Sequence, residues 1–111
     1  MNVLTAKYII SEETVTVSLS GEIDHHSARV LREEIDRKLD ELRPQKLILD
    51  MSGIGFMDSS GLGLILGRHT KMKAFGGNLT LLDPSKGVER VLRLATADKI
   101  IPIERTEENS K

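Results

Sequence analysis

The chain predicts an α/β domain built on a mixed sheet of about five strands, and three observations lead there. Apolar and polar residues alternate through Thr14 to Leu19, as in a half-exposed strand. Apolar residues step by three or four from Ala28 to Leu42, as on a helix packed along one side. Strand and helix patterns then alternate through the second half, which implies right-handed parallel crossovers of the βαβαβ kind.

Leu4 to Ile10 is the antiparallel neighbour of Thr14–Leu19, with Ser11 to Glu13 as the turn. Gly21-Glu22-Ile23-Asp24 leads into the first helix, whose stripe is Ala28, Leu31, Ile35, Leu39 and Leu42. Asp24 or Ser27 caps its start, and Pro44 ends it. Glu33–Arg37 and Glu34–Lys38 fall at i,i+4 with the acid N-terminal, as preferred. Leu47-Ile48-Leu49, within Lys46–Met51, is the all-apolar run of a central strand covered on both faces. Met51 to Asp58 reads as a loop, and Ser60 to Phe75 as a helix closed by Gly76-Gly77. Leu79 to Leu82 is the next strand. Asp83-Pro84 then opens a helix, the acid as N-cap, with Val88, Val91, Leu92 and Ala95 facing the core. Ile100 to Ile103 is a last strand, placed at a sheet edge by Pro102. These elements make a single domain over residues 1–111, its polar end frayed over residues 105–111.

Length and composition narrow the function. A chain of 111 residues buries roughly two-thirds of its unfolded surface in one core. With no tryptophan and few aromatics, that core is aliphatic. A formal net charge of −1 provides no global field for nucleic acid or an acidic membrane. The absence of cysteine excludes disulfides and thiolate metal sites and fits a reducing compartment. The start, MNVLTAKYII, is unlike a secretory signal, and no apolar stretch approaches a bilayer span. A cytoplasmic protein is expected.

Most enzyme patterns fail on spacing. A nucleophile elbow needs glycines two before and two after its serine, and neither Ser59 nor Ser60 has both. A GxxxxGK phosphate loop is absent. His25 and His26 are adjacent and diverge on a helix, and His69 is distant, so no metal site is expected. His69 shares a helical side with Leu62, Ile65 and Met72, as a packed histidine with one hydrogen bond would.

Dinucleotide binding is the main competitor among enzyme classes. Gly61-Leu62-Gly63 and Gly67 form a glycine-rich pattern, and Asp83 stands about twenty residues on, where a ribose-binding acid belongs. Against it, some eight loop residues separate the glycines from their strand, and the chain is short for that fold plus a substrate domain. Gly63, Gly67, Thr70 and Ala74 also form a stripe of small side chains on one side of the helix. The stripe admits either an external partner or a neighbouring helix of the same domain.

Phe56 to Gly67, FMDSSGLGLILG, carries the sharpest functional signal. Ser59 stands where chain becomes helix, beside unpaired N–H groups and the positive end of the helix dipole. Phosphorylation there adds about −1.5 to −2 charges that the helix end tolerates. Asp58, and Asp24 if it lies near, would repel that charge, and a partner packed on an uncharged serine would be expelled. The plainer reading is that Asp58 and Ser59 only cap the helix.

Three segments carry a resemblance. Gly21-Glu22-Ile23-Asp24-His25-His26-Ser27-Ala28, then Phe56 through Arg68, then Asp83-Pro84-Ser85, resemble the anti-sigma factor antagonists of the STAS domain class, in particular the sporulation type. The likeness spans nearly the whole chain in order and spacing. It implies a phosphorylated serine at Ser59, modified by an ATP-dependent serine kinase that is also the anti-sigma factor. The unphosphorylated antagonist binds that kinase and frees the sigma factor, and a serine phosphatase resets it. Asp24 matches a family acid bordering the docking surface. Asp58, Ser60, Gly61, Gly63 and Gly67 match positions around the kinase-facing helix start. The antagonist is implied to be no enzyme, to need no cofactor or metal, to touch neither nucleic acid nor membrane, and to act as a monomer. The alternative within the fold is a scaffold or transporter-associated STAS protein. Thr106 to Lys111 is too short and polar for the further helix that commonly ends the family, which puts any role of that helix in doubt.

Overall fold

The computed structural model describes residues 3–106. In chain order the elements are β1 (Thr5–Ser11), β2 (Thr14–Ile23), α1 (His25–Leu42), β3 (Lys46–Met57) and α2 (Ser59–Ala74), then β4 (Asn78–Leu82), α3 (Lys86–Leu94), a 3-10 turn at Ala97–Lys99 and β5 (Ile103–Glu104). The strands form one sheet in the order β1-β2-β3-β4-β5. β1 runs antiparallel to β2, and every later pairing is parallel. Each crossover therefore steps one strand further in the same direction. Such a sheet has no topological switch point, the crevice where open α/β sheets hold dinucleotides.

Register explains the core. Val15, Leu47 and Leu79 form one row across β2, β3 and β4, and Val17, Leu49 and Leu81 form the next. All six are essentially removed from water, each contributing about 1.5–3 kcal/mol of burial. Ala28, Leu31, Ile35 and Leu39 of α1 and Leu64, Ile65 and Met72 of α2 complete the same cluster. The alternate row Thr16, Ile48 and Thr80 is more polar, and Ile48 is only half-buried. The central strand is thus sealed on one face and partly covered on the other, short of the two-sided burial its apolar run predicts. An ion pair between the buried Arg68 and the half-buried Asp36 ties α1 to α2, with Arg68 Nε 2.9 Å from Asp36 Oδ1.

Several boundaries differ from the expected ones, each for a local reason. Met51–Asp58 is strand up to Met57, because the backbone of β3 keeps pairing with β2 beyond the end of β4. Asp83 is no N-cap: it sits at φ 52, and its carboxylate accepts from the backbone N–H and hydroxyl of Thr106. Ser85 caps α3 instead, its hydroxyl accepting from Val88 N–H. Leu42 and Ala95 end their stripes on the surface. β5 shrinks to Ile103–Glu104, since Ala97–Lys99 winds into a 3-10 turn, but it does lie at the sheet edge. Arg105 and Thr106 are held to Pro84, Glu89 and Asp83, so the start of the expected frayed tail is fixed. Its remainder, residues 107–111, lies outside the described residues.

Candidate functional site

The extended part of β3 builds the site. Past the last β3–β4 pair, Asp50 with Leu82, β3 continues along β2 without β4, and beyond Ser20, where β1 pairing ends, the two run on as a ribbon. Ser20 pairs with Gly53, Gly21 with Ile54, Glu22 with Phe56 and Ile23 with Met57, with irregular steps at Ser18/Ser20 and Gly21/Glu22. Such bulges bend and twist a ribbon and redirect the chain at its far end. Gly21 is required here: it adopts φ 115, and a Cβ would lie 2.5 Å from the Val3 carbonyl oxygen.

The residue after each member of the final pair is an aspartate, and each caps a helix. Asp24 and Ser27 form a capping box, with Ser27 N–H donating to Asp24 Oδ1 at 2.9 Å and Asp24 N–H donating to Ser27 Oγ at 3.0 Å. Both residues do the job for which either alone was expected. Asp58 Oδ1 accepts from Ser60 N–H at 2.8 Å, while Asp58 N–H donates to Ile23 O at 3.4 Å. The N-termini of α1 and α2 are thereby set side by side at one end of the sheet. The backbone and side-chain hydrogen bonds from Ser27 hold the Asp24 carboxyl below its ordinary range, so it stays charged in the folded protein.

Ser59 is the first helical residue of α2 and is exposed. Among the described residues its hydroxyl makes no hydrogen bond, because Asp58 bonds one residue further on, at Ser60. The helix is capped, and Ser59 is not part of the cap. Capping therefore accounts for Asp58 but leaves the neighbouring hydroxyl unused.

The other expected residues separate by environment. Gly61 is buried, and a Cβ there would fall 2.1 Å from Met57 Cγ and 3.1 Å from Ile23 Cγ2. It lets α2 start hard against the ribbon, so its own part at the helix start is close packing. At Gly63 and Gly67 a Cβ would meet nothing within 4 Å. With Thr70 and Ala74 exposed, the small-residue stripe faces outward and not onto another helix of the domain. Ser60 and Gly63 border an open groove of about 440 Å³ between the helices, lined also by His25, Ala28, Arg29 and Arg32 of α1 and by Leu64.

Two features at this end were not singled out from the sequence. Phe56 is 53% exposed beside the aspartates, an aromatic held outward by the ribbon. Arg29 and Arg32 border the groove, although in sequence they look like any solvated helix face. His69 is half-buried, and its Nδ1 has no hydrogen-bond partner among the described residues, contrary to the bonded histidine expected. No cluster of three or more His, Cys, Asp or Glu side chains suited to a metal occurs among the described residues. No described helix is long and apolar enough to cross a membrane.

This sheet order, with two neighbouring helix starts each capped by an aspartate, defines a small α/β module. The STAS domain family matches residues 6–110, and the chain belongs to that family. It is 37% identical over 94 residues to an anti-sigma F factor antagonist from Paenibacillus polymyxa, covering 85% of this chain and 80% of that one. Among solved structures it superposes on the anti-sigma factor antagonist SpoIIAA in its unphosphorylated form. The TM-score is 0.82 at 30% identity, over 96% of this chain and 90% of the other. It is similar also to the Bacillus cell fate determinant SpoIIAA in the phosphorylated form, with a TM-score of 0.75 at 29% identity, over 96% and 93% of the two chains.

Proposed function

We propose that this protein is an anti-sigma factor antagonist switched by phosphorylation of Ser59. In the unphosphorylated state it binds an anti-sigma factor serine kinase and displaces the sigma factor, in a cytoplasmic pathway of the sporulation type. The observation that carries this reading is the exposed, unbonded hydroxyl of Ser59, directly after the capping acid Asp58 at a helix start tied through Asp58 N–H to Ile23, the residue before Asp24. Support comes also from the names of its relatives, including a structure of SpoIIAA in a phosphorylated form.

The antagonist contributes only a nucleophile. Ser59 Oγ attacks the γ-phosphorus of kinase-bound ATP, the bond to the β,γ-bridging oxygen breaks, and ADP leaves. The hydroxyl proton passes to a base of the kinase. The new group carries about −1.5 to −2 charges at neutral pH. α2 accepts it at its positive end, so the fold survives. A surface that had packed on a neutral serine beside two acids must now desolvate three negative groups, and the complex comes apart. A serine phosphatase restores the neutral form. The antagonist works as a monomer, with Ser60, Gly63 and Gly67 next to the docking surface.

Incubation with the cognate kinase and ATP, and then mass spectrometric mapping, tests the assignment. A single phosphate on Ser59, lost in Ser59→Ala, is the expected result. A phosphate that persists in Ser59→Ala overturns it.

A further inference from the structure

The groove between α1 and α2 has a charge that the phosphorylation reading leaves unexplained. Arg29 and Arg32 reach it from successive turns of α1, with His25 one turn before, and no carboxylate lines it. Neither arginine has an ion pair or hydrogen bond among the described residues, whereas Arg68 is bound to Asp36 and Lys71 to Asp40 further along the same pair of helices. Arg68 is 6% exposed, and its Nη1 has no hydrogen-bond partner among the described residues. Burial lowers its pKa most, Asp36 raises it, and the positive charge of Arg32 lowers it again. Two unpaired guanidinium groups on a groove that no carboxylate lines make this part of the surface a pole for anions.

Position says which anion. The groove shares Ser60 with the start of α2 and begins one residue from Ser59, so a protein seated on Ser59 must cover it. The lining residues His25, Arg29, Arg32 and Gly63 are exposed, which suits a side chain delivered by a docking protein. Asp24 and Asp58 form the opposite pole at the helix starts, and a surface with two poles fixes the orientation of its partner. We propose that the α1–α2 groove receives a carboxylate side chain of the kinase docked on Ser59, clamped by Arg29 and Arg32. The inference rests on the kinase-binding reading and adds to it the chemistry of the contact.

The test uses the full chain and the cognate anti-sigma factor kinase. Arg29→Ala/Arg32→Ala should weaken binding about tenfold, and Arg29→Glu/Arg32→Glu about a hundredfold or more, with thermal stability unchanged because both side chains are exposed. Between low and high salt, the affinity of the alanine variant should fall less steeply than that of the parent. Ser59→Asp runs alongside. Loss of binding in Ser59→Asp with full binding in the Arg→Glu variant overturns the groove assignment and leaves the phosphorylation reading standing. No binding by the parent overturns both. Titration of the free protein with inorganic phosphate and with ATP, read from the arginine side-chain NMR signals, provides the last arm. Saturation by either one at micromolar concentration assigns the groove to a small anion and overturns the proposal.

Discussion

Ser59 and Gly61 are two residues apart and do opposite things. The Ser59 side chain is exposed without a partner, whereas the Gly61 position has no room for even a methyl group. Ser59→Asp should fold with the thermal stability of the parent, since a charge at the first helical position is favoured by the dipole. It should lose kinase affinity by about tenfold or more, and undiminished binding in a titration would contradict the repulsion argument. Gly61→Ala must push Met57 away and should destabilise by about 1–3 kcal/mol in chemical denaturation. Gly63→Ala meets open space on a helix and should stabilise by about 0.5–1 kcal/mol. Gly63→Leu adds bulk beyond that open Cβ position, next to Ser60 in the groove, and it should weaken docking without lowering Tm. Asp24 adds a pH dependence. Its folded pKa lies below the ordinary carboxylate range, so its stabilising contribution is complete above that range and fades as pH falls through and below it. Asp24→Ala should therefore lower Tm at neutral pH, and the gap to the parent should narrow in thermal melts on acidification.

At the scale of elements, the long β3 strand decides where the site sits. The β2–β3 pairing beyond Leu82 carries Asp24 and Asp58 to matching positions, and a flexible loop would not hold them there. Hydrogen exchange of the amides in 53–57 that pair with β2 should be slow, close to the rates within Lys46–Asp50. Rapid exchange there would mean the ribbon is not formed in solution. This element was the least legible in the sequence. Ser52, Gly53 and Gly55 read as loop because the register with β2 is irregular here: Gly53 pairs with Ser20, Ser52 N–H turns back to Asp50 Oδ1, and no side-chain alternation is left to find. The helix stripe Ala28–Leu39 was readable because packing of one face enforces the helical period, while on α2 the expected side held Ile65 and Met72 but left Leu62 only partly buried and missed Leu64. Asp83 misled for a different reason: an acid before Pro84 looks like a cap, and only the folded chain brings Thr106 to it. The Ser59 motif was legible as a linear segment. The basic groove was not, since it exists only once α1 and α2 lie together.

The whole molecule divides into a rigid frame and a switchable surface. The core rows of β2, β3 and β4 and the stripes of α1 and α2 are buried, whereas Ser59 is exposed. On the proposed function the switch is electrostatic and external, acting on association with a partner and not on folding. The most direct test is to titrate the cognate kinase with this protein before and after quantitative phosphorylation of Ser59, at matched salt and pH. The phosphorylated chain should keep its Tm but bind about a hundredfold more weakly. Equal affinity of the two forms, within about twofold, would contradict the charge gate, since about 0.4 kcal/mol is too little to drive release.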